Sequence, residues 1–193
     1  MDKLRNRFDE LGVLISKFYE HAQVPIDKAI KQICETFQEN GRILICGNGG
    51  SAADSQHFAA EFVNAFSREI DRRALPAQAL STDTSVITAI SNDFGYEHIF
   101  SRQVEAFGRP GDTLIALTTS GTSVNCIEAL KKARELHMSS IVFTRRNSMA
   151  SLLADISIEV PSENTQHIQE CHLLAYHVIT ELVEDKLFRQ AED

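Results

Sequence analysis

Apolar positions in the first forty residues recur at helical spacing. Leu4, Phe8, Leu11, Ile15 and Phe18 form one stripe, and Ile26, Ile30, Ile33 and Phe37 form another. Steps of three and four residues place each set on one helical face. Pro25 stands near the start of the second stripe and Gly41 just past its end. Proline at a helix start and glycine after its end are the expected punctuation, so the pattern predicts two amphipathic helices parted at "QVP". From residue 42 the pattern changes. "RILIC" predicts a short strand, with helix over 51–66, and "PAQAL" a weaker strand, with "SVITAIS" as its helix. "DTLIALTT" is a strand followed by helix over 123–136, and "SSIVFT" a strand followed by a short helix around "SMASLLA". "ISIEV" is the last strand, and residues 165–188 form a long closing helix. Strands alternating with helices predict an α/β fold, a doubly wound parallel sheet with helices on both faces. The chain reads as one domain over 1–193, with a helical extension 1–40 packed on a core 41–193.

Composition narrows the function classes. The 193 residues carry a formal net charge of −8. That balance argues against non-specific nucleic-acid binding, which needs a basic surface. It does not exclude a small anion, which backbone N–H groups can hold inside an acidic protein. Cys34, Cys46, Cys126 and Cys171 lie far apart inside apolar runs. They form no C-x-x-C pair and read as reduced, packed thiols of a cytoplasmic protein. No apolar run approaches the roughly 18 residues of a membrane span, and the N-terminus lacks a signal-peptide pattern.

Two loops of small residues follow predicted strands. In "CGNGGS" the glycines let backbone N–H groups approach an anion, and Ser51 is placed to cap the next helix or donate its hydroxyl. No lysine follows as in a P-loop, and the spacing is not that of a dinucleotide fingerprint. "TTSGTS", residues 118–123, offers hydroxyls and backbone donors at a second helix start, a setting suited to a phosphate monoester. Either loop alone reads equally well as a turn and cap. His57 and Glu61 are four residues apart, so both lie on one helix face, a geometry that suits two metal ligands and equally an ordinary helix. On the closing helix Gln169 and His177 lie two turns apart on broadly one face, with His172 to one side as a packed or solvated polar residue. His21, His98, His137 and His167 fall near predicted helix ends or loops, and Glu170 and the charges of "ELVED" read as a solvated face.

Taken together, "GNGGSAADSQHFAAEF", "SNDFGYEHIFSRQVEA", "TTSGTS" and "HIQECHLLAYHVI" resemble the SIS-domain phosphoheptose isomerases, in order from about residue 26 to residue 188. The resemblance implies a cytoplasmic homotetramer with sites at subunit interfaces. It implies conversion of sedoheptulose 7-phosphate to D-glycero-D-manno-heptose 7-phosphate for heptose-containing glycans such as lipopolysaccharide. Carried over by position, it implies zinc (Zn2+) bound by His57, Glu61, Gln169 and His177, with Glu61 and His177 also moving protons. Substrate contacts are implied for Asn48, Gly49, Gly50, Ser51, Glu61, Asn92, Asp93 and Gln169, with Thr118, Thr119, Ser120 and Ser123 at the phosphate.

The sequence also departs from the family. Ala65 stands where an arginine is usual, His167 precedes Ile168-Gln169 in place of arginine, and Thr118 and Thr122 replace Ser and Asn. "TRRNSMA" stands where a glycine-rich loop is common. A different expectation comes from the same superfamily, a non-catalytic tetramer that binds the bacterial replication initiator. That protein departs from the metal positions, whereas this chain keeps all four.

Overall fold

In the computed structural model, which describes residues 2–189, the alternating segment builds five parallel strands. They are β1 (Ile43–Gly47), β2 (Ala77–Ala79), β3 (Thr113–Thr118), β4 (Ser139–Arg145) and β5 (Ile156–Val160), in the order β2-β1-β3-β4-β5. The helices are α1 (Asp2–Gln38), α2 (Gly50–Val63), α3 (Thr84–Phe94), α4 (Ser101–Phe107), α5 (Val124–Glu135) and α6 (Thr165–Phe188). Strand side chains alternate between two cores, as the two-residue period demands. Ile43, Ile45, Ile115, Leu117, Ile141 and Phe143 pack under α1, α2 and α6. Leu44, Cys46, Leu114, Ala116 and Val142 pack on the other face with residues of α4 and α5. Buried on both sides, the central strands read as continuous apolar runs, which is why their positions were legible in the sequence.

The two predicted N-terminal helices are one helix of 37 residues with Pro25 inside it. Proline removes one backbone donor, leaving the carbonyl of His21 without its helical partner. His21 is exposed, so water can take that carbonyl, and buried Ala22, Ala29 and Ile30 continue the packed stripe through the break point. Tertiary packing thus overrides the proline, and His21 lies mid-helix rather than near an end. The segment 95–107, for which the apolar pattern made no prediction, forms a 3₁₀ turn at Tyr96–His98 and the short α4. The predicted helix around "SMASLLA" is one 3₁₀ turn, Ala150–Leu152, beside Ser148, whose hydroxyl accepts from Ser151 N and from Thr144 Oγ1.

Helix α2 stops at Val63, not at residue 66, and the cause is a buried arginine. Arg72 Nη2 donates to the Glu61 carbonyl at 2.9 Å, and Nη1 donates to the Phe62 carbonyl at 3.0 Å. Its Nε meets Glu184 on α6 at 2.9 Å, with side chains 0% and 3% exposed. Glu184 also accepts from the backbone N–H groups of Phe66 and Ser67. Glu184 is therefore not part of a solvated face. It anchors the 64–74 loop and the end of α2 onto α6. Removing one member of such a pair strands a buried charge, at a cost of about 3–5 kcal/mol. Glu184→Ala is expected to lower the unfolding free energy by that order, read from denaturant curves at fixed protein concentration. An unchanged midpoint would refute this anchoring role.

Candidate functional site

The strand order reverses between β1 and β3, and in open parallel sheets ligands bind outside the carboxyl ends of the strands at that point. Both small-residue loops are there, 48–51 after β1 and 118–123 after β3. Four helices are entered directly from a strand. Of these, α3 is capped by Asp83 and α6 by Asn164, whose side chains accept backbone N–H bonds. Helices α2 and α5 have no side-chain cap. Ser51 N and Ala52 N donate to the Asn48 and Gly49 carbonyls and Cys126 N donates to the Asn125 side chain, so the positive end of each helix, more than a set of free N–H groups, is what favours an anion there. Ser51, expected as a cap, lies instead in the first turn of α2 and is buried, with Gly49 at the cap position. The second loop is drawn together by its own hydroxyls. Thr118 Oγ1 donates to Ser123 Oγ at 3.2 Å and accepts from Gly121 N at 3.2 Å. Ser120 Oγ accepts from Thr122 N. Gly121 holds φ of +65° against Ser148, where a Cβ would come within 2.1 Å of that side chain, so only glycine fits. Thr118 is buried and braces the loop, while Ser120 is exposed and Thr119 and Ser123 are partly so.

The loops are tied together by paired amides. Asn48 Nδ2 donates to Asn125 Oδ1 and Asn125 Nδ2 donates back to Asn48 Oδ1, each at 2.8 Å. Tyr96 Oη adds a bond to Asn48 Oδ1 at 3.0 Å. These three residues, with Glu97, Ser123 and Val124, line a cleft of about 540 Å³. Asn125 and Tyr96 were not singled out in the sequence. Asn125 sits two residues past the hydroxyl loop, where helix periodicity masks it. Asn92 and Asp93 lie exposed in the last turn of α3, where Asn92 donates to Asp93 at 2.7 Å, and they do not line this cleft.

The second half of the site lies where α2 packs on α6. His57 and Glu61 of α2 meet His177 of α6, with one ligand atom from each lying within 4.8 Å of the others. That spacing fits a single ion held by two imidazoles and a carboxylate, a donor set zinc accepts. Burial holds His177 below the usual histidine pKa, and His57 adds to this while Glu61 opposes it. A neutral ring is the form that ligates. His57 Nε2 meets Glu61 Oε1 at 2.8 Å, and His57 Nδ1 meets Tyr176 Oη at 3.0 Å. The residues flanking the imidazoles set this register. Phe58 and Tyr176 are both buried and stack at 4.9 Å with an 18° tilt, while the rings of His57 and His177 lie 5.0 Å apart.

Gln169 is seated one step along the same seam. Its amide lies on Gly50, where a Cβ would come within 2.5 Å of Nε2, and Nε2 donates to Asp54 Oδ2 at 2.8 Å. An ionised carboxylate only accepts, so the amide nitrogen is committed to Asp54 and the oxygen is the end left to face a cation. Burial pushes the Asp54 carboxyl up, against the lowering by Gln169 and His57. Asp54 and Tyr176 escaped notice in the sequence. Asp54 is one turn before His57 on the same face, and that spacing was the available signal. Ala65 lies just past α2. Arg72 comes close through its bond to the Glu61 backbone, but its donors are taken by Glu184 and by carbonyl oxygens.

The SIS domain family model matches residues 8–145. A phosphoheptose isomerase of Roseiflexus sp. (strain RS-1) is 52% identical, over 94% of this chain and 92% of that one. Among solved structures, a phosphoheptose isomerase from Neisseria gonorrhoeae superposes with a TM-score of 0.89 at 38% identity, covering 95% of this chain and 98% of the other. One from Francisella tularensis gives 0.91 at 34%, covering 95% and 97%.

His172, read in the sequence as packed or solvated, is fully buried between α6 and β4. Its ring meets Phe143 edge-on at 5.8 Å, and neither nitrogen has a hydrogen-bond partner. Burial lowers its pKa to about 4, and the Thr144 backbone opposes this without reaching bonding geometry. His167, in the first turn of α6, is buried and bonded to Arg7 of α1. The depressed value at His172 makes a prediction about stability. The unfolded ring titrates near 6.5 and so binds the proton more readily than the folded one. Its contribution is complete above pH 6.5 and is lost as pH falls toward 4, by about 2 kcal/mol at pH 5. His172→Leu is expected to flatten stability against pH across that window, measured by urea midpoints. An identical slope in both proteins would refute it.

Proposed function

The chain belongs to the phosphoheptose isomerases of the SIS-domain family, and from that membership we propose that it is a zinc-dependent enzyme acting on sedoheptulose 7-phosphate. That it is an isomerase follows from its relatives, which sets aside the reading as a non-catalytic partner of a replication initiator. The observation that carries the zinc reading is the meeting of His57, Glu61 and His177 within 4.8 Å. Gln169 completes the set through its free amide oxygen. Zinc, when bound, supplies Lewis-acid polarisation of substrate oxygens.

Aldose–ketose isomerisation moves a proton between adjacent carbons through an enediol. It needs a base at the carbon and a second group that exchanges protons with the oxygens. Glu61 provides the carboxylate for the first task. His177, held neutral by its partial burial, is suited to the second. The phosphate falls to the hydroxyls of Thr119, Ser120 and Ser123 and to the positive N-terminus of α5, with Thr118 bracing that loop from beneath. Asn48, Gly49, Gly50 and Ser51 line the path between the two halves. Asn92 and Asp93 close on substrate only if their end of α3 moves or if a neighbouring subunit completes the site.

A homotetramer is part of the same proposal. Leu4, Phe8, Val13, Tyr19 and Val24 of α1 are more than half exposed. Next to them a groove of about 720 Å³ runs between α1 and α6, lined in part by Tyr19, Leu174 and Leu182. Apolar surface of this kind supports burial against further copies of the chain. No helix among the described residues is long and apolar enough to cross a membrane.

His57→Ala and Glu61→Gln are each expected to lose at least a hundredfold in turnover of sedoheptulose 7-phosphate while keeping the wild-type circular dichroism. Wild-type rates in both variants would overturn the mechanism. Phe8→Glu combined with Tyr19→Glu is expected to lower the mass in light scattering from four chains to fewer. A four-chain mass in that double variant would remove α1 from the interface.

A further inference from the structure

The role of Tyr176 follows from the two hydrogen bonds made by the His57 ring. Nε2 lies 2.8 Å from Glu61 Oε1, and Nδ1 lies 3.0 Å from Tyr176 Oη. A carboxylate only accepts, so in the structure at hand Nε2 carries a proton toward Glu61. In a neutral ring Nδ1 is then bare, and Tyr176 Oη must donate to it. Nε2 has no lone pair to offer a cation in that tautomer. For it to ligate, the Nε2 proton must leave and Nδ1 must carry one, and that Nδ1–H then needs an acceptor. The group in place is again Tyr176 Oη, and a hydroxyl both donates and accepts as its hydrogen rotates. A carbonyl at this point would permit only the second arrangement, and an amide N–H only the first.

We propose that Tyr176 is a positioning residue that serves both tautomers of His57, so that the ring changes from a hydrogen-bond donor to Glu61 into a metal ligand without losing its hold. This deepens the zinc reading above and rests on it. The proton balance closes without another reactant. One proton leaves Nε2 for solvent and one arrives at Nδ1 from solvent, which the 45% exposure of the His57 side chain permits. The same change frees Glu61 Oε1 from Nε2. The tyrosine ring is buried against Phe58, also meets His177 edge-on at 4.9 Å, and so brings the hydroxyl to His57 on a fixed support.

Tyr176→Phe removes the hydroxyl and keeps the stacked ring. On the purified full chain, zinc affinity measured by competition with a chromophoric chelator is expected to fall about tenfold, the lower end of what losing a ligand's outer partner costs. In a His57→Ala background the same change is expected to cause no further loss. Nitrogen NMR of the wild-type His57 ring is expected to show Nε2–H without metal and Nδ1–H with zinc. Unchanged affinity in Tyr176→Phe, an equal loss with and without His57, or one tautomer in both states would overturn the role of Tyr176. Should His57→Ala by itself leave zinc affinity intact, the metal reading falls, whatever Tyr176 does.

Discussion

The stack of Phe58 on Tyr176 fixes the register between α2 and α6, and the metal half of the site depends on that register. Each of these buried rings has a histidine as its sequence neighbour, His57 before Phe58 and His177 after Tyr176. A slip of one residue along either helix would turn a histidine into the core and an aromatic ring into solvent. The Arg72–Glu184 pair anchors the same two helices further along, fixing the end of α2 through the Glu61 and Phe62 carbonyls. Hydrophobic stacking sets the contact, and the buried pair makes alternatives expensive, since any slip strands a charge. His57, Glu61 and His177 converge because helices separated by over a hundred residues of chain are locked at two points.

The anion half is built on a different principle. It contains no lysine, and two helices start there, at the reversal of strand order, with cap residues that make no side-chain cap bond. Asn48 and Asn125 bridge them by reciprocal amide bonds, so the two helix starts are held as one unit. An acidic chain with a net charge of −8 would repel a phosphate at long range. Oriented N–H groups act at contact distance and give attraction where it is needed without changing the overall charge.

Much of this was legible in the sequence, and the misses have physical causes. The central strands β1, β3 and β4 were legible because they are buried on both faces. His57 and Glu61 were legible as a pair through their spacing and His177 as their partner only through the resemblance, and the structure brings these three together. Pro25 misled because a local rule met a packed stripe that continues on both sides of it. Glu184 misled because its partner Arg72 is distant in sequence, and an acidic residue on a late helix reads as solvated until that partner is known. Tyr176 escaped notice, and its ring is core. Its hydroxyl is functional in position, and no periodicity separates the two ends of one side chain. Asn92 and Asp93, carried over by resemblance, are not among the residues that line the cleft beside Asn48.

The cleft beside Asn48 is lined by Asn48, Tyr96, Glu97, Ser123, Val124 and Asn125, and His57, Glu61 and His177 meet where α2 packs on α6. The loop 48–51 joins the two halves, with Asn48 facing the cleft and Gly50 under the Gln169 amide. The proposed substrate has the matching layout, with reacting carbons at one end of a seven-carbon chain and phosphate at the other. Gly49 is open, with nothing within 4 Å of where a Cβ would stand, whereas the same face of Gly50 is covered by the Gln169 amide. Any residue larger than glycine at position 50 would displace the Gln169 amide and so disturb the metal half from within the anion-side loop. Glycine at that point therefore answers to packing against Gln169, which couples the 48–51 loop to α6 through a single backbone position.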